Sequence, residues 1–120
     1  MQNKCNFSGL HLFFYIIKAH FWKIIGIIVT MEKRYRLCFY GTVQGVGFRY
    51  TAMHAANMYR LTGYVKNEYD GSVTCEVQGD EEAIGRFVST VQGGRFIDIS
   101  YIDRKEIKVI SDERSFEVRY

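Results

Sequence analysis

Between Arg34 and Tyr40 polar and apolar residues alternate, which puts Tyr35, Leu37 and Phe39 on one face of a predicted strand. From Phe48 to Leu61 the period lengthens. Ala52, Ala55, Ala56 and Tyr59 recur at helical spacing, and small residues on that face let a helix lie close to a sheet. Thr62-Gly63 is expected to end this helix, since glycine is favoured just beyond a helix C-terminus. Gly63–Tyr69 and Gly71–Gln78 read as two strands, with Asp70-Gly71 between them as a hairpin signal. Gly79-Asp80 closes the second of these. Asp80 suits a helix N-cap, and Glu81 and Glu82 complement the dipole of the following first turn. Ile84, Phe87, Val88 and Val91 then mark an amphipathic helix that Gly93-Gly94 stops. Ile97, Ile99 and Tyr101 alternate in a fourth strand running towards a Lys- and Asp-containing turn. Phe116, Val118 and Tyr120 alternate in a short last one.

The order is strand-helix-strand-strand-helix-strand with an added C-terminal strand. It predicts an α+β fold, a ferredoxin-like βαββαβ sandwich whose antiparallel sheet carries two helices on one face. Right-handed crossovers make the first two strands parallel, with the third between them. The corner between the first strand and the first helix is Gly41-Thr42-Val43-Gln44-Gly45-Val46-Gly47-Phe48-Arg49. Its glycines allow left-handed backbone angles and close approach of a ligand to the main chain. Successive amide N–H groups beside a helix N-terminus suit an anion, and Arg49 adds a planar cation. The pattern is neither of the familiar phosphate loops. A Walker loop needs Gly-Lys-Ser/Thr, and the dinucleotide fingerprint needs glycine or alanine where Tyr50 stands. The bland alternative is a tight strand-to-helix turn with no ligand.

Charge changes the picture only by its placement. Residues 1–30 contain Lys4, Lys18 and Lys23 and no acid, which leaves 16 − 3 = 13 bases against 13 acids from residue 31 onward. The domain proper is neutral, so the basic balance of the chain gives no argument for a nucleic-acid partner. Leu10–Val29 is apolar enough to invite a membrane reading, but Lys18, His20 and Lys23 interrupt it. On a helix, Leu10, Phe13, Phe14, Ile17, Phe21, Ile24, Ile25 and Ile28 share a face, the pattern of an interfacial helix. Residues 1–30 are expected to be an extension left by a start assigned too far upstream, ahead of a domain at 31–120 that opens with Met31; an interfacial helix, and with it membrane association, is expected only if that extension is real. Cys5, Cys38 and Cys75 have no metal-like spacing, and an odd number of cysteines fits a reduced, cytoplasmic setting. His54 has no ligand-spaced partner and reads as a surface or packing residue.

Residues 35–120 resemble the acylphosphatase family over essentially their full length. The likeness rests on Gly41–Arg49, on Gly63-Tyr64-Val65-Lys66-Asn67, on Asp70-Gly71-Ser72-Val73 and on Phe116-Glu117-Val118-Arg119-Tyr120. One departure is Gly93-Gly94-Arg95, where the family commonly has Gly-Pro. The resemblance implies hydrolysis of small-molecule acyl phosphates to a carboxylate and phosphate, by a monomer without cofactor or metal. Carried over residue by residue, Arg49 would bind the phosphoryl group and Asn67 would orient the attacking water. Backbone N–H groups of Gln44, Gly45, Val46, Gly47, Phe48 and Arg49 would complete the cradle. Taken singly, Arg49 could be a structural helix-start residue and Asn67 a turn former; with the intact glycine loop the functional reading is preferred.

Rival readings are a non-catalytic anion- or nucleic-acid-binding module on the same fold, a domain serving a carbamoyl-phosphate-processing enzyme, and a membrane-tethered variant. Gly71–Gln78 lacks the aromatics on which an RNA-binding sheet stacks bases, which counts against nucleic acid.

Overall fold

The structure is a computed structural model that describes residues 32–120. Cys5, the Leu10–Val29 run, the 1–30 extension and the start expected at Met31 lie outside the described residues. The elements are β1 (Glu32–Thr42), α1 (Phe48–Met58), β2 (Thr62–Asn67), β3 (Val73–Asp80), α2 (Glu81–Gln92), β4 (Asp98–Ile107) and β5 (Phe116–Arg119). The sheet order is β4-β1-β3-β2-β5, so β3 lies between β1 and β2 as the connectivity requires. Every pairing is antiparallel except β2 with β5, which makes the ferredoxin-like sheet mixed at that edge.

Strand parity decides which residues meet the helices. Tyr35, Leu37 and Phe39 of β1, Val73, Cys75 and Val77 of β3, and Val65 of β2 face one side. There they form one buried cluster with Phe48, Ala52, Ala55 and Ala56 of α1 and Ile84, Phe87 and Val91 of α2. The alanines supply the small face expected of α1. Tyr59 reaches across, its hydroxyl 2.8 Å from Thr90 Oγ1, and ties the end of α1 to α2.

Four local expectations are revised. First, α1 stops at Met58, before Gly63. Arg60 takes the left-handed position (φ 57°), its N–H donating to Asn57 O and that of Leu61 to Ala56 O, a Schellman closure made without glycine. Gly63 is needed for a different reason: a Cβ there would collide with the carbonyl of Glu76 on β3. Second, the ladder between β2 and β3 ends at Asn67↔Val73, so residues 68–72 form the connection, closed by Asp70 Oδ1 accepting from the Ser72 N–H (2.9 Å) and hydroxyl. Third, a register shift at Tyr40/Gly41 changes the parity of β4. Ile97 and Ile99 face the core but Tyr101 turns outward against Tyr40, ring centroids 5.4 Å apart, and Ile102 packs inward instead. Fourth, Asp80 occupies the N-cap of α2 without capping through its side chain, while Glu81 in the first turn accepts from the Tyr35 hydroxyl (3.0 Å) and pairs with Lys33 (3.4 Å).

The opposite face of the sheet carries a polar network. Arg34, only 1% exposed, donates from Nε to Glu76 Oε1 (3.0 Å) and holds Glu113 in two bonds of 2.6 and 3.2 Å. Arg36 and the Tyr64 hydroxyl donate to Glu76 Oε2 at 3.0 and 2.9 Å. Gln78 exchanges bonds with the backbone of Ile110, which fastens the segment after β4 over this end of the sheet. Burial opposes the ionisation of Glu76, yet the bonds from Tyr64, Arg36 and Arg34 together hold its carboxyl below the usual range.

Candidate active site

The chain leaves β1 at Thr42 and enters α1 at Phe48, and the residues between them make one wall of a cleft of about 450 Å³. Val43 and Phe48 are buried and Val46 packs against the core, so the loop is pinned to the hydrophobic interior at three points. Between those pins Gly45 and Gly47 adopt φ of 74° and 76°, with open space where a Cβ would stand. Glycine is required there for the angle, not for room. Gly47 is the N-cap of α1. It has no side chain to cap with, and no acid occupies the first turn, so the helix N-terminus beside the cleft carries no built-in anion.

Arg49, in that first turn, lines the same cleft. Its guanidinium lies 4.9 Å from the Tyr120 ring centroid, and among the described residues no carboxylate sits within ion-pair distance of it. Asn67 ends β2 with the parity of the buried Val65, so it faces the helix side and enters the cleft from a second direction. Thus Gly45, Gly47, Phe48, Arg49 and Asn67, all selected from the sequence, line one concavity.

Gln44 and Val46 do not line it through their side chains. Val46 belongs to the core margin. The Gln44 side chain turns away, Nε2 donating to Glu68 O (2.7 Å) and Ser72 O (2.9 Å) in the β2–β3 connection. Tyr50, Met53, Val118 and Tyr120 complete the rim and were not singled out from the sequence. Met53 lies one helical turn beyond Arg49, a spacing that could have flagged it. Val118 and Tyr120 enter because β5 lies beside β2, a pairing no local pattern states. His54 is exposed and stands edge-on to Tyr50, ring centroids 4.4 Å apart, away from any ligand set. Such a site offers a fixed cation, unoccupied amide donors and a neutral amide across the cleft, which suits a compact anion undergoing displacement.

The family model for acylphosphatase matches residues 35–118. The acylphosphatase of Clostridium acetobutylicum is 41% identical over 91 residues, covering 75% of this chain and 100% of that protein. That of Geobacillus kaustophilus is 43% identical over 89 residues, 73% of this chain and 95% of the other. The crystal structure of acylphosphatase from Bacillus subtilis matches with a TM-score of 0.69 and 36% identity, over 73% of this chain and 99% of that one. A similar unit occurs within full-length HypF, solved in a phosphate- and nucleotide-bound form. It has a TM-score of 0.71 and 27% identity over 78% of this chain, but only 12% of HypF. With a family match across most of its length and relatives spanned nearly end to end, the chain belongs to the acylphosphatase family and is an acyl phosphate hydrolase.

Proposed function

We propose that this acylphosphatase holds the phosphoryl group of its substrate on the backbone N–H groups of residues 44–49 and on Arg49, while Asn67 orients the attacking water, and that no metal takes part. The observation that carries this reading is convergence: Arg49 from α1 and Asn67 from β2 line one cleft together with the two left-handed glycines Gly45 and Gly47.

The chemistry accounts for so sparse a site. Water attacks phosphorus and the bond from phosphorus to the acyl oxygen breaks. The carboxylate leaves with the electron pair, and the water proton passes to a phosphate oxygen. A carboxylate is a good leaving group near neutral pH, so no general acid is needed. Charge in the loose transition state spreads over the equatorial oxygens, where a planar guanidinium and preorganised amides act best. Arginines in comparable phosphoryl transfers contribute about 10³–10⁵ in rate. Asn67 cannot serve as a base at this pH; its amide holds water in line, and that contribution is one of orientation. The same reading makes the working unit a cytoplasmic monomer without a nucleic-acid partner. In support, Cys38 and Cys75 are free thiols, and β3 offers Thr74, Glu76 and Gln78 rather than aromatics on its outer face. Among the described residues no helix is long and apolar enough to cross a membrane.

The test is hydrolysis of benzoyl phosphate by the full chain in the presence of EDTA. The parent should turn over, and Arg49→Ala and Asn67→Ala should each lose about 10²-fold or more in kcat/KM while remaining folded by circular dichroism. Activity surviving Arg49→Ala would place the chemistry elsewhere. Loss of parental turnover in EDTA, restored by a divalent cation, would overturn metal independence.

A further inference from the structure

The two halves of the proposed machinery sit on different elements, the cradle between β1 and α1 and Asn67 at the end of β2. The side chain of Gln44 joins them. Its Nε2 donates both of its hydrogens, one to Glu68 O and one to Ser72 O. Glu68 directly follows Asn67 and Gln44 directly precedes Gly45, so one amide clips the first residue of the cradle to the residue beside the proposed water-holding side chain. The acceptors are themselves braced. Ser72 O also accepts from the Glu68 N–H (2.9 Å), Glu68 O from the Gly71 N–H (3.3 Å), and Asp70 Oδ1 fixes Ser72. The remaining anchors of the loop, Val43, Val46 and Phe48, tie it to the core rather than to the β2–β3 connection.

We infer that Gln44 is a positioning residue which sets the separation between bound phosphorus and attacking water, and that it acts through Asn67; this rests on the roles proposed for Arg49 and Asn67. The proposed phosphate contacts are backbone N–H groups of residues 44–49 and the Arg49 guanidinium, none of which the Gln44 side chain supplies. In-line attack depends on where Asn67 stands relative to the cradle, which the clip does set. Removing it therefore lowers kcat and leaves ground-state binding alone. A misplacement of about 1 Å costs on the order of 10²-fold in such geometry.

The experiment uses two variants of the full chain, Gln44→Glu and Gln44→Met. The first keeps the shape but removes both N–H donors and turns a carboxylate towards two carbonyl oxygens; the second removes polarity with little change in volume. Each is made in the parent and in Asn67→Ala, and kcat and KM for benzoyl phosphate are measured with the inhibition constant of inorganic phosphate. Thermal midpoints confirm folding. In the parent, kcat should fall about 10-fold to 100-fold, with KM and phosphate inhibition within about twofold. On the Asn67→Ala background the same substitutions should cost less than about twofold, because what they position is gone. A full, additive loss on that background overturns the inference and leaves the roles of Arg49 and Asn67 standing. So does weakened phosphate inhibition with kcat unchanged, which would assign Gln44 to the cradle alone. An Asn67→Ala variant as active as the parent would sink the underlying reading and this inference together.

Discussion

Arg34 and Arg49 carry the same group, and the fold treats them in opposite ways. Arg34 is sealed on the outer face of the sheet, with Glu76 and Glu113 bonded to its guanidinium and Gln78 beside it. Every direction in which it could donate is filled by the protein. Arg49 lines a cleft, half-buried, in the first turn of α1 with the Tyr120 ring beside its guanidinium. A buried charge costs several kcal/mol to desolvate and survives only with partners in place, so Arg34 belongs to the fold. The role proposed for Arg49 rests on the opposite condition: among the described residues no carboxylate pairs with it. On that proposal, availability of the partner rather than residue type separates the two arginines.

The sharpest way to break this comparison is to truncate each arginine and ask which property falls. Arg34→Met leaves Glu76 and Glu113 short of their main donor and should cost about 3–5 kcal/mol of stability in urea denaturation. Assayed cold, while still folded, it should keep its kcat. Arg49→Ala should do the reverse, losing about 10²-fold or more in activity while the denaturation midpoint moves by no more than about 0.5 kcal/mol. Equal stability losses in the two variants would show that Arg49 also holds the fold.

Acid probes the Arg34 side through Glu76. The carboxyl of Glu76 is held below its usual range in the fold, so its contribution is fully present above the unfolded value of about 4.3 and is lost as pH falls through the folded value. The parent should therefore lose stability between neutral pH and pH 3. Glu76→Gln, with nothing to titrate there, should start lower and decline less. Asp70 and Glu81, also held low by hydrogen bonds, leave a residual slope in both proteins. Matching slopes in the two proteins would deny Glu76 this role. The smallest effect concerns a third arginine. Arg60 sits in a left-handed conformation that glycine adopts freely, so Arg60→Gly should raise the thermal midpoint slightly, by about 0.5 kcal/mol of stability, without touching activity.

Local signals carried the element order, the inward face of β1 and the glycine loop with Arg49, while the role expected of Asn67 came from the family resemblance. What they missed was decided by long-range partners. Alternation sends Arg34 to solvent; it is buried because the segment after β4 returns over the sheet and brings Glu113. Gly63 reads as a helix stop and in fact makes room for the backbone of β3. Tyr101 follows the parity of Ile99 in sequence, yet a bulge opposite Gly41 reverses it. The backbone of Gln44 belongs to the proposed cradle, but the partners of its side chain, Glu68 and Ser72, are a whole helix away along the chain. In each case the deciding atom belongs to a strand or turn that no short window contains.

The sheet order has a kinetic consequence. β1, first of the described strands, is flanked by β3 and β4, and its ladder with β4 pairs Arg34 with Ile107, nearly the whole domain apart. Closing such loops costs entropy before any pairing compensates it, which places folding in the millisecond-to-second range rather than among the microsecond folders. The cleft draws its walls from the β1–α1 loop, the end of β2 and the strand at the far edge, so it does not exist until the last of these is in register. On the proposed reading of that cleft a half-folded chain has no hydrolytic centre, and recovery of turnover during refolding should time the completion of the sheet itself.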